Sequence, residues 1–356
     1  MKHATAPSLR ATIAALLGMA AVAAACQGPP AAPAQPAAPT QAPDAKTAAP
    51  PAQSAKAPVR LSLALDWYPN SNHAGLYVAQ ANGYYRDEGL EVELYVPSNP
   101  EDVLKLVGSG KDSLGISYQS DVLLAAAEGI PVKSVAALVQ HPLNSVTTLK
   151  SSNLTRPKQL EGKKVGYPGI PGQEALLKTM MEKDGGSFDK VELVNVGFEL
   201  VQPLIGKKVD ASLGTFWTHE TILAEMEGYP VDVMRVEEWG VPDYYELVFV
   251  TNDKTAREQP DAVRAFLRAT AKGYADAAKD PQKALDQLVK NNPETNREVE
   301  EKGIQLLRPL WTEGVPSFGW QTRERWQSYA DWMRQMKLLS AEVKAESVFT
   351  TEFLPR

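Results

Sequence analysis

The chain has 356 residues, with 43 acidic and 37 basic side chains and a formal net charge of −6. An acidic chain without clusters of lysine and arginine is not typical of nucleic-acid-binding proteins. Its single cysteine excludes an internal disulfide, and its length is sufficient for two lobes.

The N-terminus has the pattern of a secretory signal peptide over residues 1–25. Lys2 and Arg10 supply the basic start, and an alanine-rich apolar run follows over residues 11–25. Such a run is too short to span a bilayer comfortably. It ends in the sequence AAAC, which resembles a bacterial lipobox with alanine in place of the usual leucine. We therefore expect Cys26 to be lipidated and to become the mature N-terminus.

Residues 26–58 form a segment rich in alanine, proline and glutamine, with almost no large apolar side chains. Such a composition cannot bury a core, and proline favours extended conformations. We therefore expect a tether that holds a globular part, beginning at Val59, away from a membrane. The sequence contains no second long apolar run, so the lipid is the only membrane attachment expected.

From Val59 onward, short apolar runs alternate with helical patterns. Strands are predicted at Val59–Leu65, Glu91–Val96, Ser113–Tyr118 and Val132–Val139. Helices are predicted at His73–Asp87, from Asn99 to about Val107, and at Asp121–Glu128.

The same alternation starts again at Lys163. The predicted strands are Lys164–Gly166, Val191–Val196, Val209–Gly214 and Val231–Val236, and the predicted helices are Gly172–Lys183, Glu199–Gly206 and Thr218–Glu227. Another strand, Glu246–Thr251, is expected to cross back. The remainder is predicted to be helical at Ala256–Lys279, Pro281–Lys290, Asn296–Arg308 and Thr322–Leu338.

Two successive strand–helix series followed by helices indicate an α/β protein with two lobes and mainly parallel sheets. Ligands bind such sheets at the carboxyl ends of the strands. Both sets of strand ends can face one cleft, so the loops that follow the strands are the candidate site.

These loops are rich in aromatic and polar side chains. The first series contributes Asp66, Trp67, Tyr68, Asn70, His73, Tyr118, Gln119 and Asp121. The second contributes Tyr167, Pro168, Trp217, His219, Glu220, Tyr245 and Glu246. Aromatic faces suit a planar ring, and carboxylates and amides suit its donor and acceptor edge. Each of these residues also has a structural alternative, as a helix cap or a core aromatic.

A metal site is not expected. His73, His219 and Asp121 could in principle supply ligands, but the four histidines are scattered and no cysteine accompanies them. We also expect no cofactor.

Several long segments resemble one known family. They are LALDWYPNSNHAGLYVAQANGYY at 63–85, the stretch 99–144, LEGKKVGYPGIP at 160–171, WTHE at 217–220 and EWGVPDYYELVFV at 238–250. These segments resemble the NMT1/THI5-like branch of the periplasmic solute-binding proteins. That branch includes formylaminopyrimidine-binding and riboflavin-binding subunits of ABC importers, and a fungal enzyme that makes the thiamin pyrimidine.

The resemblance implies a type II periplasmic-binding-protein fold, with the ligand held between two lobes. It implies a first lobe of 59–142 plus 250–356 and a second lobe of 143–249, with hinge crossings near Asn144 and Phe249. It also implies a monomeric, extracytoplasmic receptor that delivers its ligand to an ABC permease and the associated ATPase.

The resemblance also raises the alternative of an enzyme. The fungal synthase has a lysine and a histidine in the segment that matches 114–122, where this chain has Ser117 and Asp121. The synthase also has a cysteine cluster before the returning strand, where this chain has DYYE at 243–246. We therefore expect no catalytic residues. A sensor or adhesion lipoprotein with the same fold is a further alternative.

The sequence constrains the identity of the ligand less than it constrains the fold. The number of large aromatic residues in the loops favours riboflavin, as does an Ala/Pro-rich tether unlike those of the familiar pyrimidine binders. The DWYPN and HE segments favour the thiamin pyrimidine precursor N-formyl-4-amino-5-aminomethyl-2-methylpyrimidine. Our expectation places riboflavin first and the pyrimidine precursor as the alternative.

Overall fold

The computed structural model describes residues 57–99, 102–170 and 172–355. The predicted signal peptide, Cys26 and nearly all of the predicted tether lie outside the described residues. None of the described helices combines the length and apolar character needed to cross a bilayer.

The strands of the described chain form two five-stranded sheets. In chain order they are β1 (Val59–Ala64), β2 (Leu90–Tyr95), β3 (Leu114–Ser117), β4 (Val132–Val139), β5 (Asn144–Leu149), β6 (Lys164–Tyr167), β7 (Glu192–Asn195), β8 (Ala211–Phe216), β9 (Val231–Arg235) and β10 (Leu247–Asn252). The first sheet has the order β2-β1-β3-β10-β4, and the second has the order β7-β6-β8-β5-β9.

Helices cover these sheets and form most of the C-terminal part. They are α1 (Ala74–Ala81), α2 (Tyr84–Asp87), α3 (Val103–Gly108), α4 (Gln119–Ala127), α5 (Gln173–Lys183), α6 (Val201–Ile205), α7 (Glu220–Met226), α8 (Asp253–Glu258), α9 (Pro260–Lys279), α10 (Pro281–Asn291), α11 (Arg297–Leu310), α12 (Arg323–Gln335) and α13 (Ala345–Val348). The α/β class and the two-sheet architecture agree with the sequence-based prediction.

Each sheet contains one strand that runs against the others. In the first sheet β10 pairs antiparallel with β3 and β4, while β1 pairs parallel with β2 and β3. In the second sheet β5 pairs antiparallel with β8 and β9, while β6 pairs parallel with β7 and β8. Both reversed strands are fully buried, as expected for strands covered on both faces.

The sequence-based prediction missed β5 entirely. This strand follows β4 after only a short turn and enters the other sheet, so no helix precedes it to mark its start. The reversed strands β5 and β10 carry the chain into the second sheet and back to the first. The lobe boundaries placed at 142/143 and 249/250 are compatible with these crossings and stay a proposal.

Two helices predicted as continuous are each divided. The helix expected at His73–Asp87 is broken at Gly83, whose φ of 77° lies in the left-handed region. The helix expected at Ala256–Lys279 is divided between Glu258 and Pro260. Proline lacks the N–H that would continue the earlier helix, and it disfavours helical geometry at Gln259.

Candidate functional site

A cavity lies between the carboxyl ends of strands from both sheets. Loops after β1 and β3 form one wall. Loops after β6 and β8, with the starts of α5 and α7, form the other. The lining residues are Trp67, Asn70, Tyr118, Pro168, Ile170, Gln173, Gly214, Phe216 and Glu220. This is the location that the strand-end argument predicts for a ligand.

The structure brings five of the predicted site residues to this cavity: Trp67, Asn70, Tyr118, Pro168 and Glu220. The other predicted residues lie behind the lining or at the surface, namely Asp66, Tyr68, His73, Gln119, Asp121, Tyr167, Trp217, His219, Tyr245 and Glu246. Their assignment as ligand contacts therefore stays a prediction, and their surroundings are described below.

Asp66 and His73 form a buried hydrogen-bonded pair behind the cavity wall. The His73 Nδ1 atom accepts from the backbone N–H of Asn70 at 3.2 Å, so Nε2 carries the proton in the neutral ring and donates to Asp66 Oδ1 at 3.0 Å. The side chain of Asn70 accepts from the backbone N–H of Asn72 at 2.9 Å. These bonds fix the turn that presents Asn70 and Trp67 to the cavity.

Tyr118 joins the ends of β1 and β3. Its hydroxyl donates to Asp66 Oδ2 at 3.1 Å, and burial, together with the charges of Asp66, Glu246 and Asp121, raises its pKa well above 10. The phenol is therefore a neutral donor already used by the protein, and its ring faces the cavity.

Trp67 packs against a ring from the second half of the chain. Its ring centroid lies 4.5 Å from that of Phe198, in an edge-to-face arrangement. Tyr68 also contacts Phe198, but it is 52% exposed and does not line the cavity. Of these two adjacent aromatic residues, only Trp67 is placed to contact a ligand in the cavity.

Glu220 begins α7 and has its carboxylate at the cavity. One oxygen accepts from the backbone N–H of Phe216 at 2.8 Å, and the other lies 3.2 Å from His219 Nδ1. His219 Nε2 lies 3.0 Å from Glu300 Oε1 on α11. Burial by itself would lower the pKa of His219, but the charges of Glu220 and Glu300 and the bonds to them outweigh burial and raise it well above 6.5.

His219 is therefore a cation held between two carboxylates, and Glu300 Oε2 also accepts from the backbone N–H of Ser71 at 2.5 Å. The arrangement links the loop after β8, the helix α11 and the loop after β1. Within the described residues, no group of three or more His, Cys, Asp or Glu side chains is placed to hold a metal ion.

Gln119 and Asp121 lie on α4, behind the lining. Gln119 Oε1 accepts from the backbone N–H of Tyr245 at 2.8 Å. Asp121 Oδ1 accepts from the Ser120 hydroxyl at 3.1 Å, and burial raises the pKa of its carboxyl well above 3.8. Gln119 therefore joins α4 to the segment that precedes β10.

Glu246 occupies a buried position where the chain passes between the sheets. Its carboxyl accepts from the backbone N–H groups of Leu143 and Asn144 at 2.6 and 2.9 Å, and from the Tyr244 hydroxyl at 3.0 Å. Burial is the largest influence on its pKa, which rises to about 7 although these hydrogen bonds oppose the rise. Glu246 ties the two crossing segments together.

Three predicted aromatic residues have other packing partners. Trp217 lies under the guanidinium of Arg235, with 4.0 Å from the guanidinium carbon to the ring centroid, and its indole N–H donates to the Pro142 carbonyl. Tyr245 is buried beside Trp326. Tyr167 is partly buried against the core cluster that contains α5.

Sequence reasoning missed Gln173 and Gly214 as lining residues. Gly214 interrupts the apolar pattern of β8, and the β5–β8 pairing passes from Thr215 to Leu213 without it, which defines a bulge. An isolated glycine in a strand is a known indication of a bulge or a close approach. That signal was available in the sequence, whereas nothing marked Gln173 beyond its place at the start of a helix.

Comparison with known sequences gives two informative relatives. A formylaminopyrimidine-binding protein of Halalkalibacterium halodurans is 39% identical over 295 residues, which cover 82% of this chain and 89% of the relative. A 4-amino-5-hydroxymethyl-2-methylpyrimidine phosphate synthase of Saccharomyces cerevisiae is 27% identical over 305 residues, which cover 83% of this chain and 88% of the relative.

Comparison with solved structures supports the fold. The alkanesulfonate-binding protein SsuA of Xanthomonas axonopodis pv. citri superposes with a TM-score of 0.65 at 15% identity, covering 83% of this chain and 99% of SsuA. The fold is that of the periplasmic binding proteins. The sequence profile described as NMT1/THI5 like matches residues 70–284, more than half of the chain. This chain belongs to the NMT1/THI5-like family.

Proposed function

We propose that this chain is the solute-binding protein of an ABC importer and that its ligand is a thiamin pyrimidine precursor of the formylaminopyrimidine type. The observation that carries this proposal is the 39% identity to a formylaminopyrimidine-binding protein over most of both chains. The site supports it, because an aromatic wall and a carboxylate face each other across a narrow cavity.

The aromatic lining of the cavity favours one ring over three fused rings. Riboflavin was our first expectation because of the aromatic residues in the loops. Trp217 and Tyr245 have protein partners outside the cavity, so the aromatic side chains left to contact a ligand suit a single pyrimidine.

We infer that the chain does not catalyse pyrimidine synthesis, although a synthase is among its relatives. The resemblance would place the synthase's lysine and histidine at Ser117 and Asp121. Ser117 is buried in β3, and Asp121 is a buried carboxyl that accepts from a neighbouring hydroxyl. Neither supplies the basic groups of the synthase. A receptor role is the function that these residues support.

Delivery to a permease and anchoring at Cys26 belong to the same proposal. The predicted signal peptide and lipobox support an extracytoplasmic, lipid-anchored receptor that presents its closed, liganded surface to an ABC permease and its ATPase. Cys26→Ser should move the expressed protein from the membrane fraction to the soluble extracytoplasmic fraction. Retention of the variant in the membrane would contradict lipid anchoring.

Calorimetric titration of the full chain tests the ligand. We expect saturable binding of N-formyl-4-amino-5-aminomethyl-2-methylpyrimidine with one site per chain, and no heat from riboflavin at the same concentrations. Binding of riboflavin without the pyrimidine would restore the flavin interpretation. Binding of neither would remove both vitamins as ligands.

A further inference from the structure

One buried polar atom in the cavity has no protein partner. Gln173, the first residue of α5, is 4% exposed and lines the cavity. Its Nε2 donates to Asn144 Oδ1 at 3.4 Å, whereas its Oε1 has no hydrogen-bond partner among the described residues. A buried acceptor without a donor costs about 1–3 kcal/mol, so most buried acceptors in native proteins have a donor. A donor on a bound ligand can satisfy this oxygen.

The backbone provides a specific place for this amide. Gly214 forms the bulge in β8 with a φ of 91°, and a Cβ atom at that position would lie 2.5 Å from Gln173 Oε1. Any side chain at position 214 would therefore displace the amide. The bulge and the glycine together make room for Gln173 at the cavity wall.

The orientation of the Gln173 amide is determined by Asn144 and Glu246, which lie behind it in a chain of hydrogen bonds. Glu246 Oε1 accepts from Asn144 Nδ2 at 2.5 Å, and Glu246 Oε2 accepts from two backbone N–H groups and a tyrosine hydroxyl. An ionised carboxylate can only accept, so Asn144 must direct its NH₂ group toward Glu246 and its Oδ1 toward Gln173. Gln173 must then direct its own NH₂ group toward Asn144, which leaves Oε1 beside Gly214, another residue of the cavity lining.

We propose that Gln173 is a specificity-determining residue whose Oε1 accepts a hydrogen bond from an exocyclic amino group on the ligand ring, and that Glu246 sets this polarity through Asn144. The inference rests on the proposed function and deepens it. The site accepts a ring that presents a donor at this edge. It rejects a ring that presents a carbonyl there, because two acceptors would then face each other.

The test compares two probes against the full chain at about pH 8, where the Glu246 carboxyl is ionised. One probe is the formylaminopyrimidine, and the other is its counterpart with a carbonyl in place of the exocyclic ring amino group. Wild-type protein should prefer the amino ring by at least about tenfold, equivalent to about 1.4 kcal/mol. Gln173→Met keeps the length of the side chain but removes the acceptor, so this preference should fall to nearly one.

Gln140→Met is the matched control. Gln140 is also a buried glutamine whose side-chain oxygen has no partner among the described residues, but it does not line the cavity. This control should keep the wild-type preference. An unchanged preference in Gln173→Met would overturn the role of Gln173, even though both rings still bind and the proposed function stands.

Glu246→Gln tests the polarity. The new amide keeps its oxygen toward the two backbone N–H groups and turns its NH₂ group toward Asn144. Asn144 and Gln173 should then both rotate, Gln173 should present N–H to the cavity, and the preference should reverse toward the carbonyl ring. A folded Glu246→Gln protein that still prefers the amino ring would overturn the relay. If this variant does not fold, the Gln173→Met comparison still decides the role of Gln173. Failure of wild type to bind either ring would overturn the proposed function, and this inference with it.

Discussion

At the scale of single residues, the walls of the cavity are fixed by side chains that do not line it. Asp66 receives hydrogen bonds from His73 and Tyr118, and so holds the turn after β1 against the end of β3. These bonds satisfy the buried carboxylate and leave the Trp67 ring and the Asn70 side chain at the cavity surface. Within the DWYPN segment, Asp66 therefore supports the cavity wall, whereas Trp67 and Asn70 line the cavity.

Trp67 is the residue in this segment whose loss should most directly affect binding. Trp67→Ala removes the ring that faces the cavity and its edge-to-face contact with Phe198, so we expect affinity for the pyrimidine to fall more than tenfold, or by more than about 1.4 kcal/mol. Calorimetric titration measures the change. Trp320→Ala, at a tryptophan 38% exposed, is the control and should bind as wild type. Wild-type affinity in Trp67→Ala would exclude Trp67 from the site.

At the scale of elements, α11 connects parts of the chain that belong to different sheets. It packs against α7, α9 and α10 and against the loop after β1. A Cβ atom at Gly303 would lie 2.4 Å from Ser71 Oγ and 2.9 Å from the Thr218 carbonyl. The helix therefore approaches the loops after β1 and β8 as closely as a glycine permits.

Gly303→Ala should push α11 away from both loops. Overpacking of this kind costs roughly 1–3 kcal/mol, and we expect a lower Tm together with weaker pyrimidine binding, because the same loops carry cavity residues. Thermal unfolding and titration measure the two effects. Gln305→Ala, at an exposed position on the same helix, should change neither. Full stability in Gly303→Ala would show that the helix can shift at no cost.

At the scale of the whole molecule, the two sheets are joined by the crossing strands and by buried contacts of charged side chains. Glu246 fastens the crossing segments near Leu143 and Asn144, and His219 lies between Glu220 on α7 and Glu300 on α11. Both sets of contacts are buried or nearly so, which keeps them insensitive to salt compared with surface ion pairs. The stabilisation that these contacts provide depends instead on pH, because the pKa values of His219 and Glu246 are both raised.

His219 makes the stability of the molecule depend on pH. Its folded-state pKa is raised well above the usual 6.5, so its contribution is fully present below about pH 6.5 and is lost as the pH rises through the folded-state pKa. We expect the Tm of the wild-type protein to fall over that range. His219→Gln should lower the Tm by several degrees at about pH 6, because two buried carboxylates lose their cation. The variant should also show a smaller decline than wild type, because only the part contributed by Glu246, whose pKa is raised to about 7, remains.

Thermal unfolding between about pH 6 and pH 9 measures both effects of the His219 substitution. His141→Gln is the matched control, because His141 is partly exposed and also contacts a carboxylate, that of Asp243. It should retain the decline of the wild-type protein. A decline of equal size in His219→Gln would assign the pH dependence to other groups.

The amino-acid sequence alone determined the α/β class, the two strand–helix series and the loops that form the site. These depend on local patterns of apolar residues and on the rule that ligands bind at strand ends. The family follows from ordered segments such as DWYPN. The sequence did not distinguish Trp67, which lines the cavity, from Tyr68, which does not. Both are aromatic residues of the same turn, and only the backbone geometry decides which of two adjacent side chains reaches the cavity.

Only the tertiary structure decided which side chains line the cavity. Gln173 became part of the site because Glu246, 73 positions further along the chain, orients it through Asn144 across two crossing segments. β5 was missed for a related reason, since its partners β8 and β9 lie far along the chain and its reversed direction depends on the second sheet. Hydrogen bonds between distant segments leave no local periodicity, and such bonds determine the polarity of this site.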